Sequence, residues 1–166
     1  WRNGLKVIRD LQPEILLSTH TRAIVGKDEV TRRLTGYMDQ ISLTYDQTLR
    51  GILGGLSLGD LRNVVYIPPH LKEIPENAQS YGETVHFPEA IYQYVIGWFD
   101  GDVTKLFVVP PQEEAERLVE LMGGKAKVVT AARAALDAKE FAWGAQLIQH
   151  VYLLDPSDNA VRQLKA

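Results

Sequence analysis

The sequence predicts a mainly α fold. Apolar residues recur at three- and four-residue spacing along most of the chain, as they do on the buried face of a helix. Proline and paired glycine punctuate that pattern at helix-length intervals, at Pro13, Gly54-Gly55, Pro68-Pro69, Pro110-Pro111, Gly123-Gly124 and Pro156. Against these stands one short strand-like run, Ile15-Leu16-Leu17.

The elements follow in order. Leu5, Ile8 and Leu11 share a helical face, and Pro13 stops that first helix. Ile15–Leu17 reads as a short buried strand, and the Ser18-Thr19-His20 loop after it presents an imidazole. Gly26 precedes a long helix from Lys27 to about Leu53, broken only weakly by Gly36. Its apolar stripe runs through Val30, Leu34, Tyr37, Ile41, Leu43, Tyr45, Thr48 and Leu49. Ser57 can cap a short helix that continues through Val65. Pro68-Pro69, Pro75 and Gly82 mark an irregular stretch, and Glu89 to Phe99 is a further helix closed by Asp100-Gly101.

Pro110-Pro111 with Glu113 and Glu114 opens the next helix, with proline in the first turn and acids suiting the dipole. After Gly123-Gly124 come two helices, about 126–139 and 141–154, and a last one near Asp158. Small alanines, the Phe141-Ala142-Trp143 patch and Leu153-Leu154-Asp155-Pro156 give residues 126–166 a tetratricopeptide-like look. A single such hairpin is expected to be a helical pair packed on its neighbours, because solenoids need several repeats.

Composition narrows the function classes. The 166 residues are long enough to bury a core without staples. A net charge of -3 offers no phosphate-neutralising field, so nucleic acid is excluded as an expected partner. The absence of cysteine rules out disulfides, thiol catalysis and Cys-zinc sites. No apolar run approaches the roughly 20 residues that span a bilayer. A soluble protein is expected, with its compartment left open; a periplasmic or secreted bacterial protein is compatible with the composition.

Four histidines are the candidate chemistry: His20, His70, His86 and His150. His150 lies within a helix and His70 follows Pro68-Pro69 in a loop, so both read as structural. His20 sits at a strand end, where function concentrates. A zinc-ligating imidazole there needs partner ligands from elsewhere. His86 precedes a helix that begins near Pro88, and a donor at a helix N-terminus is placed to meet an anion. In Asp46-Gln47-Thr48-Leu49-Arg50-Gly51, Asp46 and Arg50 have the spacing of an ordinary helical ion pair. Tyr92, Tyr94, Trp98 and Phe99 span more than one helix face. That pattern suggests burial on two sides, as in an interwoven dimer, although ordinary core packing accounts for any single ring.

Together these pieces resemble one family. Leu11-Gln12-Pro13-Glu14 leads to His20, and Ile24-Val25-Gly26 and the Asp46–Gly51 block follow. Then come Pro68-Pro69-His70-Leu71, Tyr81-Gly82 with Val85-His86, Gly97-Trp98-Phe99-Asp100-Gly101, Pro110-Pro111 and Leu154-Asp155-Pro156. In this order, over nearly the whole chain, they resemble the zinc-dependent alkyl sulfatases of the metallo-β-lactamase superfamily. The resemblance runs from the end of the catalytic domain through the helical dimerisation domain. It implies that residues 1–26 are the remnant, helix plus strand, of a metallo-β-lactamase-type α/β domain and that 27–166 form the dimerisation domain.

The resemblance further implies that His20 is the last ligand of a two-zinc site and that His86 reaches toward the substrate's sulfate. The implied reaction is hydrolysis of an alkyl sulfate to an alcohol and sulfate by a homodimer, with the helical domain helping to wall the pocket. Zinc would lower the pKa of a bound water, and cationic and imidazole donors would hold the sulfate. The chain departs from the family at Tyr45, where relatives commonly carry histidine. It departs again at Thr84-Val85-His86-Phe87, where they tend to have Ser-His-Asn. The His-x-His-x-Asp-His cluster of the superfamily is expected upstream, so this piece alone should be inactive. The alternatives are a helical interaction module without catalysis and a hydrolase of the same fold acting on another ester.

Overall fold

Helix formation follows the apolar periodicity closely in the computed structural model, which describes residues 1–80 and 82–166. The chain folds as two units, Trp1–Asp102 and Val103–Ala166.

In the first unit, helix α1 (Arg2–Asp10) is followed by a two-stranded antiparallel hairpin of β1 (Ile15–Leu16) and β2 (Ile24–Val25). Ile15 pairs with Val25 and Leu16 with Ile24. The expected buried strand is not buried. Ile15 is exposed and Leu17 is 78% exposed, while Leu16 alone packs inward beside Leu5, against Ile24, Val30 and Leu34. An edge hairpin of two residues per strand has one covered face, and alternation then turns every second apolar residue outward.

Helix α2 runs over Lys27–Leu53, with Asp28 and Glu29 in its first turn and Arg50 in its last, each suited to the helix dipole. The expected stripe is at least half-buried along its whole length. Gly36 does not weaken the helix but lets it be approached. A Cβ there would fall 2.5 Å from Ile74 Cγ1, so only glycine admits the chain that crosses it. Trp1 closes the N-terminal side edge-on against Tyr37, with ring centroids 5.9 Å apart.

The segment after α2 departs from expectation in length. Helix α3 covers only Leu58–Leu61, capped by Ser57, whose Oγ accepts from the Asp60 N–H at 3.2 Å. The chain then leaves the helix because Tyr66 is paired sideways. Its N–H donates to Gln47 Oε1 at 2.8 Å, and its carbonyl accepts from Gln47 Nε2 at 3.0 Å. Helix α4 (Pro69–Lys72), a 3-10 turn at Pro75–Asn77 and another at Thr84–His86 replace the irregular stretch. Helix α5 spans Phe87–Val95, starting earlier and ending sooner than the expected Glu89–Phe99. Gly97, at φ 128°, takes the chain out of the helix, and its N–H returns to the Tyr92 carbonyl.

The second unit contains α6 (Pro111–Leu121), α7 (Lys125–Asp137), α8 (Phe141–Leu154) and α9 (Asn159–Lys165). Val119, Val128, Ala132, Leu147, Ile148, Val151 and Val161 form its core. The helical pair expected over 126–154 is present as α7 and α8, flanked by α6 and α9. Among the described residues no helix is long and apolar enough to cross a membrane.

Candidate functional site

The hairpin places His20 in the loop joining β1 to β2, exposed, with its backbone N–H donating to Ser18 Oγ at 3.3 Å. His86 ends the 3-10 turn Thr84–His86 and is the N-cap residue of α5. Its N–H donates to the Glu83 carbonyl at 3.0 Å, and its side chain is exposed. The first turn of α5 keeps few donors for an anion beside this imidazole, because the Phe87 N–H donates to the Thr84 carbonyl and Pro88 has none. The acid in that first turn, Glu89, is held by Arg62 at 3.1 Å. His70 is exposed on α4 and His150 is half-buried on α8.

Among the described residues no group of three or more His, Asp or Glu is gathered as a metal would require. His20 is one donor, so these residues do not by themselves fit a two-zinc centre. Tyr81, part of the Tyr81-Gly82 motif, lies outside the described residues.

The Asp46–Gly51 block has a different logic from the one its spacing suggested. The Asp46–Arg50 pair is not formed among the described residues, and both side chains point to solvent. The block works through Gln47, which clamps Tyr66, and through Thr48, fully buried with its hydroxyl donating to the Thr44 carbonyl at 2.7 Å. Thr44 repeats that bond to the Gln40 carbonyl at 2.8 Å.

About two turns nearer the start of α2 than Gln40, charge takes over. Arg33 bonds Glu29 at 2.6 Å and Glu76 at 3.1 Å, tying α2 to the Pro75–Asn77 turn. The guanidinium groups of Arg32 and Arg33 hold the Glu29 carboxyl down at about 2. Asn77, buried, donates from Nδ2 to the Gly36 carbonyl at 3.2 Å and to the Leu71 carbonyl at 2.7 Å. Gln40, Asn77 and Thr84 were not singled out by sequence reading. A lone buried amide or hydroxyl carries no periodic signal that could have found it.

The aromatic set is not core. Tyr94 is 85% exposed and Trp98 is 67% exposed, and Trp98 and Phe99 lie beyond the end of α5, rings 5.6 Å apart. Tyr92, on α5, is half-buried, whereas Tyr94 stands on the outer face of the same helix. In this unit Tyr94, Trp98 and Phe99 form an uncovered apolar surface with Val95 and Ile96.

The helical scaffold and its exposed apolar surfaces describe an association domain, and comparison with known proteins supplies the family. A family model described as alkyl sulfatase dimerisation matches residues 58–166, and the chain belongs to that family. A linear primary-alkylsulfatase of a Pseudomonas species is 35% identical over 167 residues, covering 100% of this chain and 32% of its own. An alkyl/aryl-sulfatase of Saccharomyces cerevisiae is 28% identical, over 92% of this chain and 24% of its own. The solved structure of the stereoselective inverting sec-alkylsulfatase Pisa1 from Pseudomonas sp. superposes with a TM-score of 0.88 at 27% identity. It covers 99% of this chain and 27% of that one. The chain therefore spans about a third of the length of the first of these curated relatives.

Proposed function

We propose that this chain is the helical, dimer-forming part of an alkyl sulfatase, and that the complete enzyme hydrolyses alkyl sulfate esters to an alcohol and sulfate. The alignment of the whole chain with a linear primary-alkylsulfatase carries this reading. The exposed apolar surfaces of both units support association: Tyr94, Ile96 and Trp98 in the first, Phe107, Val108 and Phe141 in the second.

Within that reading His86 contacts the sulfate. Its imidazole N–H donates to a sulfate oxygen and holds charge that grows as the ester bond breaks. His20, on its exposed loop, is one zinc ligand, and the remaining ligands come from outside these residues. The rings around Trp98 and Phe99 contribute an apolar wall for the alkyl chain.

The test uses the complete enzyme with dodecyl sulfate as substrate. His86→Ala should lower kcat by about a hundredfold while bound zinc is unchanged, the size expected on losing one donor to a developing anion. His20→Ala should lower bound zinc. Full turnover in the first variant overturns the sulfate role, and full zinc in the second overturns the ligand role. An enzyme that hydrolyses no alkyl sulfate overturns the whole reading.

A further inference from the structure

We infer that Arg62 determines how tightly the sulfate subsite holds an anion, and that it does so by cancelling the charge of Glu89. Arg62 thereby joins His86, on whose proposed sulfate contact this inference rests. Arg62 is the C-cap residue of α3, and α3 packs against α5 within the first unit. Its Nη2 donates to Glu89 Oε2 at 3.1 Å, across 27 residues of chain.

Glu89 stands where a bound anion would feel it. It lies in the first turn of α5, three residues after His86. His86 itself has helical torsions, φ -91° and ψ -17°. Residues three apart on a helix share a face, with Cβ atoms about 5–6 Å apart. That separation is inside the screening length of about 8 Å at physiological salt, so a carboxylate there repels a sulfate held by the imidazole.

Local structure gives Glu89 no capping duty that would offset this. An acid at the third helical position ordinarily accepts from the N-cap N–H, but the His86 N–H donates to the Glu83 carbonyl. Backbone amides do not make up the deficit either. The Phe87 N–H is spent on the Thr84 carbonyl, and Pro88 has none. Glu83, exposed three residues before His86, adds to the negative side. Without Arg62 the subsite would set two carboxylates against one imidazole.

Stability does not account for the Arg62–Glu89 pair. The side chains are 53% and 39% exposed, and ion pairs this open contribute little to folding. Removing the cation therefore leaves the fold in place and uncovers a negative charge beside His86.

The test uses the complete enzyme and three ligands of different charge. KM is measured for dodecyl sulfate, a monoanion, and inhibition constants for inorganic sulfate, a dianion, and for dodecanol, which is neutral. Arg62→Met keeps the apolar stem and removes the charge. It should raise KM about threefold and, with twice the ligand charge, the sulfate constant about tenfold. Dodecanol inhibition should not change, and Arg62→Lys should stay near the parent. Glu89→Gln, with Arg62 in place, should bind sulfate more tightly than the parent. The double variant Arg62→Met/Glu89→Gln should return to parental affinity, because neither charge remains.

Unchanged sulfate inhibition in Arg62→Met would overturn the inference, as would an equal loss of dodecanol, the result of a displaced helix. A double variant as weak as Arg62→Met would make Arg62 a direct sulfate contact and overturn it too. Should Arg62→Met misfold, Glu89→Gln decides alone, and sulfate held no more tightly than in the parent overturns the inference. His86→Ala keeps the two readings apart. If it leaves sulfate inhibition unchanged, the role of His86 falls and that of Arg62 with it. If it weakens sulfate while the Arg62 series does not, only the role of Arg62 falls.

Discussion

Gly36 shows how a single residue can mislead a reading based on propensity. Within a helix, glycine costs about 1 kcal/mol relative to alanine, which is why the sequence marks it as a weak break. The helix continues through it because Ile74 occupies the space a side chain would take. Gly36→Ala should therefore destabilise the chain by about 1–3 kcal/mol in urea unfolding, since overpacking against a branched side chain outweighs the propensity gain. A variant more stable than the parent would show that Ile74 gives way freely. Gln47 teaches the same lesson from the polar side. Its amide replaces a strand partner for Tyr66, and a glutamine in a run of polar residues announces nothing of the kind.

At the scale of elements, boundaries followed local chemistry wherever that chemistry was self-contained. The helix over Lys27–Leu53 and that over Phe141–Leu154 were legible in full, and Pro110-Pro111 and Gly123-Gly124 bracketed α6. Helix α9 is a clear case of local control. Asp158 caps it, accepting from the Ala160 and Val161 N–H groups at 2.8 and 3.2 Å, and is itself held by Lys125 at 2.7 Å. The ammonium of Lys125 keeps the Asp158 carboxyl below its ordinary range, so the cap stays charged. Asp158→Ala should cost about 1 kcal/mol and speed hydrogen exchange of the Ala160 and Val161 amides first. Unchanged exchange there would mean that packing of Val161, and not the cap, holds the helix. The elements that deviated are those whose ends depend on distant partners. Helix α3 stops for Gln47, and the β1 run is an edge hairpin whose outer face has no cover within its unit.

At the scale of the whole molecule, the apolar surface left exposed is the main physical fact. Within the first unit it includes Tyr94, Ile96 and Trp98, and within the second Val103, Phe107 and Val108. Monomeric proteins seldom leave such runs bare, and membership of a dimerisation family gives them a use. Light scattering at concentrations on the order of tens of micromolar should return about twice the 18.6 kDa of the chain. A mass of 18.6 kDa would overturn the homodimer.

Sequence by itself determined the helical class, most helix limits and the family, because periodicity, proline and glycine stops, and short motifs act over a few residues. It also marked His20 and His86 as imidazoles at element ends. Only the tertiary structure decided which apolar residues are core. Ile15, Leu17, Tyr94 and Trp98 read as buried in the sequence and lie on the surface of the fold. It alone brought Gln40 together with Asn77 and Thr84, since Gln40 is far from them in the chain and they converge only after α2 and the 3-10 turns have packed. Burial is a property of the surroundings, and the surroundings of a side chain are set by partners the local sequence does not contain.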